Sequence, residues 1–262
     1  MDSQLPFFSI VTVCLNPGKD LPKTVESILA QDYRHFESVI KDGLSQDGTK
    51  DFDCSDPRVT FVSRPDGSIY DAMNQALDLC SGHYVNFLNT GDTFRVRNVL
   101  SEVADLLEEH AYPDMVYVDR YNEKLDAVTH YPPSLSPWYL FRKPVCHQAL
   151  FVKRSILLSM GGFDTTFRIF ADYDVLLKLL LAKKASYIHC PVVGVNYKDD
   201  GVSSEPRNRR QKLNELRRLR KAYFTRTQRV LYGIIWRSTL PGIRIQLVYQ
   251  DRIRWLRKLL CR

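Results

Sequence analysis

The sequence predicts an α/β fold, a mainly parallel sheet with flanking helices, followed by a basic helical C-terminal tail. Three observations carry this. Over the first ~95 residues, apolar runs with strand character alternate with segments whose apolar residues recur at helical spacing, the pattern of a parallel sheet covered by helices. Three of the runs end in acidic or amide residues, at Asn16, Asp42 and Asp92, and ligands of such sheets bind beyond the carboxyl ends of the strands. Charge is also divided unevenly: residues 206–262 hold 17 Lys+Arg against 2 Asp+Glu, leaving 20 against 28 in residues 1–205. The polar, turn-forming stretch 199–206 reads as the linker between a body (1–205) and a tail (206–262).

The elements follow in order. Strands are expected at 8–14, 36–41, 59–63 and 84–89. Leu21, Val25, Ile28 and Leu29 give a first helical stripe; Ile69, Ala72, Met73, Ala76, Leu77 and Cys80 give a second. A helix is expected at 97–109, a strand pair at 115–121 and 127–131, and a Pro- and aromatic-rich loop over the site at 132–148. A strand at 149–152, a helix at 171–181 and a strand at 187–197 complete the body. In the tail, Leu213, Leu216, Leu219 and Tyr223 form one stripe, and Ile253, Leu256, Leu259 and Leu260 a second beyond Pro241-Gly242. Each lies beside Arg and Lys, as in helices that rest in a membrane interface.

Composition narrows the classes. With 262 residues, 44% hydrophobic and 26% charged, this is an ordinary globular chain. Six irregularly spaced cysteines, with no CxxC pair, point to reduced thiols in a cytosolic protein rather than disulfides or zinc. The short polar lead into the first strand gives no signal-peptide pattern, and no apolar run approaches the ~20 residues that span a bilayer. The expected location is cytoplasmic, peripheral on the inner face of the membrane.

Four segments recur in a telling order. They are Leu15-Asn16 after the first strand, Lys41-Asp42-Gly43 followed by Asp47-Gly48-Thr49 after the second, Asp66-Gly67-Ser68-Ile69-Tyr70-Asp71-Ala72-Met73-Asn74, and Asn89-Thr90-Gly91-Asp92. Over roughly residues 7–200 the chain resembles the family 2 glycosyltransferases, inverting enzymes with a GT-A (Rossmann-like) fold that build bacterial surface polysaccharides. It departs from that pattern in three places. Ser68 separates Gly67 from Ile69, Thr90 stands where an acidic residue usually precedes Asp92, and Ala171 stands where a Glu usually precedes Asp172.

The resemblance implies a UDP-linked nucleotide-sugar donor, with Val13, Asn16, Asp42, Asp66 and Asp71 on the nucleotide side. Asp42 has two readings: a carboxylate that accepts from a pyrimidine N–H and ribose hydroxyls, or a turn residue supporting Gly43. Asp71 likewise reads as a ligand or a helix cap, and Asp47-Gly48-Thr49 as turn and cap. Asp92 is the expected ligand of Mn²⁺ or Mg²⁺, which would neutralise the departing diphosphate. Asp172, opening a helix in Ala171-Asp172-Tyr173-Asp174, is the expected general base, with Asp174 turned elsewhere. His147 and Gln148 are expected on the acceptor side. Trp138 reads as a sugar platform or as loop packing.

The expected partners are a nucleotide sugar, a lipid-linked saccharide acceptor and an anionic membrane surface. The missing acidic residues leave a catalytically inactive scaffold of the same fold as the alternative. The basic tail carries no recognisable nucleic-acid module, and Leu15-Asn16-Pro17-Gly18 is not the Gly-rich loop of a nucleotidyltransferase.

Overall fold

The computed structural model describes residues 7–53, 55–199, 201 and 206–236. Its spine is β1 (Phe8–Cys14), in which all seven residues are buried. A strand that is apolar on both faces must be covered on both, which places it inside a helix-flanked sheet. β2 (Phe36–Asp42) and β4 (Tyr84–Phe87) pair with β1 on either side, and β3 (Val59–Ser63) pairs with β2, all in parallel. The crossover helices are those the spacing predicts. α1 (Asp20–Leu29) buries Leu21, Val25 and Ile28, and α2 (Ile69–Leu79) buries Met73, Ala76 and Leu77.

Beyond β4 the sheet becomes mixed. β5 (Thr93–Phe94), α3 (Val99–Glu109), β6 (Met115–Asn122), β7 (Ala127–Thr129), α4 (Pro137–Arg142), β8 (Leu150–Lys153), α5 (Arg154–Ser159), α6 (Ala171–Leu177) and β9 (Tyr187–Tyr197) follow in the chain. The strand order is β3-β2-β1-β4-β8-β6-β9-β5, with β7 hung on β6. β8 runs antiparallel to both β4 and β6, and β9 is parallel to β6 but antiparallel to β5. Parallel neighbours need a full crossover, whereas a hairpin or short return gives antiparallel ones. The β6–β7 hairpin is a return of that kind, whereas β8 reaches β4 and β6 through long connections. The β6–β9 register slips around Asp119, next to Pro191, which has no N–H to give the ladder.

Three local features differ from expectation. The 132–148 stretch contains α4, started by Ser136, whose hydroxyl accepts from the Tyr139 N–H at 3.2 Å, with Pro137 in the first turn. The expected helix 171–181 is α6 followed by a π-helical turn over Lys178–Ala182. Trp138 packs on Phe141 and Tyr232, so its role here is loop packing.

The boundary expected at 205 does not divide the packing. α7 (Arg209–Tyr223) docks on the body and is followed by a helix, α8, over 226–236. Leu219 and Phe224 join the main core at 1% and 3% exposure, and Arg220 donates to the Phe141 carbonyl at 3.0 and 3.3 Å. The stripe read as a membrane face is therefore largely spent inside the protein, with Leu213 left exposed. The second stripe, at 253, 256, 259 and 260, lies outside the described residues. Among the described residues no helix is long and apolar enough to cross a membrane.

Candidate active site

A cleft of about 560 Å³ opens beyond the carboxyl ends of β1 and β4. Val13 and Asn16 line it from β1, Asn89, Thr90 and Asp92 from the turn after β4, and His147 and Gln148 from the turn before β8. The segment 168–170 and Asp172 also line it, as do Tyr197 at the end of β9 and Asp199 beyond it.

Asp92 is 5% exposed. Its Oδ2 accepts from Gln148 Nε2 at 2.6 Å and its Oδ1 from the Lys198 N–H at 3.0 Å. Gln148 is oriented in turn, because its Oε1 accepts from the Cys146 thiol. Burial pushes that thiol up to about 11, so Cys146 is a protonated donor rather than a nucleophile. Gly91 holds φ +95°, open to glycine at no steric cost. Thr90, where a first carboxylate was expected, spends its hydroxyl on the Val13 carbonyl at 3.1 Å.

Asp172 lies across the cleft. Its Oδ1 accepts from the Tyr173 N–H at 2.8 Å and sits 3.1 Å from the Tyr70 hydroxyl, whose shorter bond is to the Ile169 carbonyl at 2.6 Å. Burial, reinforced by the Asp172 charge, holds the Tyr70 phenol well above its usual range, so it stays a donor. Oδ2 meets His147 Nδ1 at 2.9 Å. A carboxylate only accepts, so Nδ1 carries the proton, and Nε2 faces Asn89 Nδ2 at 3.0 Å as acceptor. The adjacent residues His147 and Gln148 thus reach opposite ways, one to Asp172 and one to Asp92. Asp174 points away and accepts from the Tyr223 hydroxyl at 2.8 Å.

Three carboxylates expected at the nucleotide are engaged elsewhere. Asp42 is fully buried. Its oxygens accept from the Ser45 hydroxyl, from the Ser45 N–H at 3.0 Å and from the Ser63 hydroxyl at 2.6 Å. Burial alone would raise its pKa, but these hydrogen bonds outweigh that and hold the carboxyl below the usual range. These are the bonds its turn reading calls for. Asp66 neutralises Lys41, a fully buried lysine that also donates to the Arg64 carbonyl at 2.7 Å. Asp71 accepts from the Gly67 N–H at 2.8 Å while its own N–H bonds to Ser68 at 3.2 Å, a cap of the reciprocal kind. Asn16 does reach the cleft. It takes φ +50° and its Oδ1 accepts from the Gln46 N–H at 2.7 Å, tying β1 to the 44–46 turn.

The comparisons with known proteins bear on this geometry. The sequence profile of Glycosyl transferase family 2 matches residues 9–168. The chain belongs to that family. It is 31% identical over 198 residues to a PGL/p-HBAD biosynthesis glycosyltransferase of Mycobacterium bovis (strain BCG / Pasteur 1173P2), covering 73% of this chain and 77% of the relative. An uncharacterized glycosyltransferase of Mycobacterium tuberculosis (strain CDC 1551 / Oshkosh) is 31% identical over 208 residues, 77% of this chain and 79% of that one. The fold is similar to S. aureus TarS 1-349 in complex with UDP-GlcNAc, with TM-score 0.64 and 17% identity over 74% of this chain. The match spans 59% of the TarS chain. It is also similar to the mannosyltransferase PcManGT of Pyrobaculum calidifontis in complex with GDP-Man and Mn2+, with TM-score 0.58 and 20% identity, over 77% of this chain and 59% of that one. At these identities the structural likeness speaks for the GT-A fold.

For a family 2 glycosyltransferase a divalent cation is the implied cofactor. Asp92 is the right kind of ligand in the right cleft, yet among the described residues no three His, Cys, Asp or Glu side chains gather to hold an ion. Mg²⁺ and Mn²⁺ at phosphates keep waters and substrate oxygens as most of their ligands, so a single carboxylate fits such an ion only together with the donor.

Sequence reasoning did not single out three residues of this glycosyltransferase cleft. Asn89 Oδ1 is buried without a hydrogen-bond partner. Arg120 enters from β6 with its guanidinium 4.6 Å from the Tyr197 ring centre and its Nε unpartnered. Tyr131 presents its hydroxyl to the Cys146 N–H at 3.1 Å, and its own N–H bonds at 2.9 Å to Asp119, a carboxylate also held by His130 and His189. The signal was there: Asp119-Arg120 interrupts the apolar run 115–118, and charges in a buried strand need a reason.

Proposed function

We propose that this glycosyltransferase moves one sugar, with inversion, from a UDP-linked donor to a lipid-linked saccharide acceptor of a bacterial O-antigen, capsule or exopolysaccharide. One observation carries the reading. The His147-Gln148 turn holds Asp172 and Asp92 in one cleft, at the strand ends where such folds bind ligands. TarS and PcManGT, which share the fold, were solved with UDP-GlcNAc and GDP-Man, which supports a nucleotide sugar as donor.

In this reading Val13 and Asn16 flank the nucleotide, and the donor diphosphate lies towards Asp92. Asp172 accepts the proton of the acceptor hydroxyl as that oxygen attacks the anomeric carbon from the face opposite the leaving group. His147 fixes the carboxylate's orientation through Nδ1–H and contributes, with Gln148, to the acceptor side. Tyr70 and the Tyr173 N–H keep Oδ1 in place. A Mn²⁺ or Mg²⁺ ion held by Asp92 would supply positive charge to the diphosphate as it leaves.

The place of work in this reading is the cytoplasmic membrane surface. Arg209, Arg210, Arg217 and Lys221 stay exposed on α7, and each cation near an anionic surface contributes about 1 kcal/mol. Transfer from a panel of nucleotide sugars with Mn²⁺, using lipid-linked and soluble acceptors, tests the reading, with the product anomer read by NMR. An inverted product is expected. A retained anomer, or wild-type turnover by Asp172→Asn, would refute the mechanism. Equal sedimentation with neutral and anionic liposomes would refute the membrane role.

A further inference from the structure

We infer that Glu215, on α7 and more than forty residues from Asp172 in the chain, is a positioning residue for the base. The inference rests on the reading of Asp172 above. Glu215 is 7% exposed. Its Oε1 accepts from the Arg168 N–H, and its Oε2 from the Ile169 and Phe170 N–H groups, all at 3.0 Å. Gln211, one turn earlier, steadies Oε1 from its Nε2 at 3.0 Å. These three successive N–H groups belong to the stretch that enters α6, and α6 has no side-chain cap of its own at Phe170. Helix starts leave the first four N–H groups without intrahelical partners, and of these three only that of Phe170, the N-cap, is one; the other two belong to the approach. One distant carboxylate takes all three.

The same stretch shapes the base. Ile169 offers the carbonyl that receives the Tyr70 hydroxyl at 2.6 Å, and Tyr70 sits 3.1 Å from Asp172 Oδ1. Arg168, Ile169 and Phe170 also line the cleft. α7 takes a second hold two turns on, where the Tyr223 hydroxyl donates to Asp174 at 2.8 Å. Leu219 lies between the two, buried at 1% exposure. Glu215, Leu219 and Tyr223 are spaced i, i+4, i+8, one face of one helix. An apolar residue at 215 would avoid the cost of a buried charge but leave these three N–H groups without an acceptor. A carboxylate with convergent charge-assisted hydrogen bonds adds direction: it fixes where the backbone runs.

Glu215→Gln in the 262-residue chain tests this. It keeps the shape but turns one acceptor into a donor facing an N–H. Transfer is expected to lose on the order of 10² in kcat, the cost of an ångström-scale misplacement, with donor KM within about threefold. Amide exchange at 168–170 should quicken. The deciding measurement is the cycle with Asp172→Asn. If Glu215 acts through the base, Glu215→Gln adds little to the loss already caused by Asp172→Asn. Multiplying losses, or an unchanged kcat in Glu215→Gln beside an inactive Asp172→Asn, would overturn the inference alone. Full turnover by Asp172→Asn would overturn the base reading and this inference with it. If Glu215→Gln does not fold, Glu215→Asp makes the same comparison, since it keeps the charge and withdraws it by one methylene.

Discussion

The donor half of the cleft and the base half use their carboxylates in opposite ways. In residues 7–79, Asp42, Asp66 and Asp71 hold a turn, a buried lysine and a helix start. They build the wall rather than face the cleft. In the base half, Asp172 lines the cleft and is held by groups from α2, from the turn before β8 and from its own backbone. The difference lies in where the held carboxylate ends up. Asp42 is fully buried and Asp66 is spent on a buried lysine, each with a partner from another strand. Asp172 is held by His147 and Tyr70 from distant elements and still lines the cleft.

The strongest test of this contrast is truncation after residue 205. It removes Glu215, Leu219 and Phe224, so both lipid-embedded and water-soluble acceptors should lose measurable transfer, accompanied by a lower Tm. Activity kept on the soluble acceptor would show the tail to be separable after all. Next, Asp172→Asn should lower kcat by ~10² or more, as expected for a general base, with UDP affinity by calorimetry unchanged. A milder loss is expected on the metal side: Gln148→Leu frees one oxygen of Asp92 from its support and should weaken Mn²⁺-dependent UDP binding about tenfold, the lower end for residues that orient a metal ligand. Affinity that is the same with and without Mn²⁺ in wild type would remove the metal from the site.

Smaller effects should mark the donor-half carboxylates, and they should appear in stability. Asp42→Ala leaves the Ser45 and Ser63 donors without their acceptor and should cost about 1–3 kcal/mol in urea unfolding. UDP affinity should stay within a few-fold. Because the folded-state pKa of Asp42 is lowered, the advantage of wild type over Asp42→Asn should be fully present above the usual carboxylate range. It should fade as pH falls from ~4 through the folded value. Asp71→Ala should cost less, up to about 1.5 kcal/mol. A tenfold loss of UDP affinity at unchanged stability in either variant would return that residue to the nucleotide.

The sequence was legible where structure is local. The strands β1 to β4, the stripes of α1 and α2, and the cleft positions of Asn16 and Asp92 followed from period and order, and the family resemblance added Asp172. An Asp after a strand, however, reads the same whether it serves its own turn or a ligand, and Ser45 and Ser63, which hold Asp42, are 3 and 21 residues away. The return of β8 against β4 and the docking of α7 depend on contacts between distant segments. The stripe of α7 had the right residues, but its spacing cannot say whether protein or lipid covers it. Gly162 is a similar case. Its φ of +68° belongs to the local end of α5, where its N–H bonds to the Leu157 carbonyl at 2.9 Å, but the lack of room for a Cβ beside Asn74 Oδ1 comes from packing against α2, which no local pattern announces.

His147 and Gln148 are joined by one peptide group, and a peptide group is planar and stiff. Either side chain can turn about its own χ bonds, but a shift of the Gln148 backbone beside Asp92 would tilt the plane that also carries His147. A substrate that moved this backbone would be registered in both halves without any moving domain or lid. By thermodynamic reciprocity, whatever factor the first substrate imposes on the affinity of the second, the second imposes on the first.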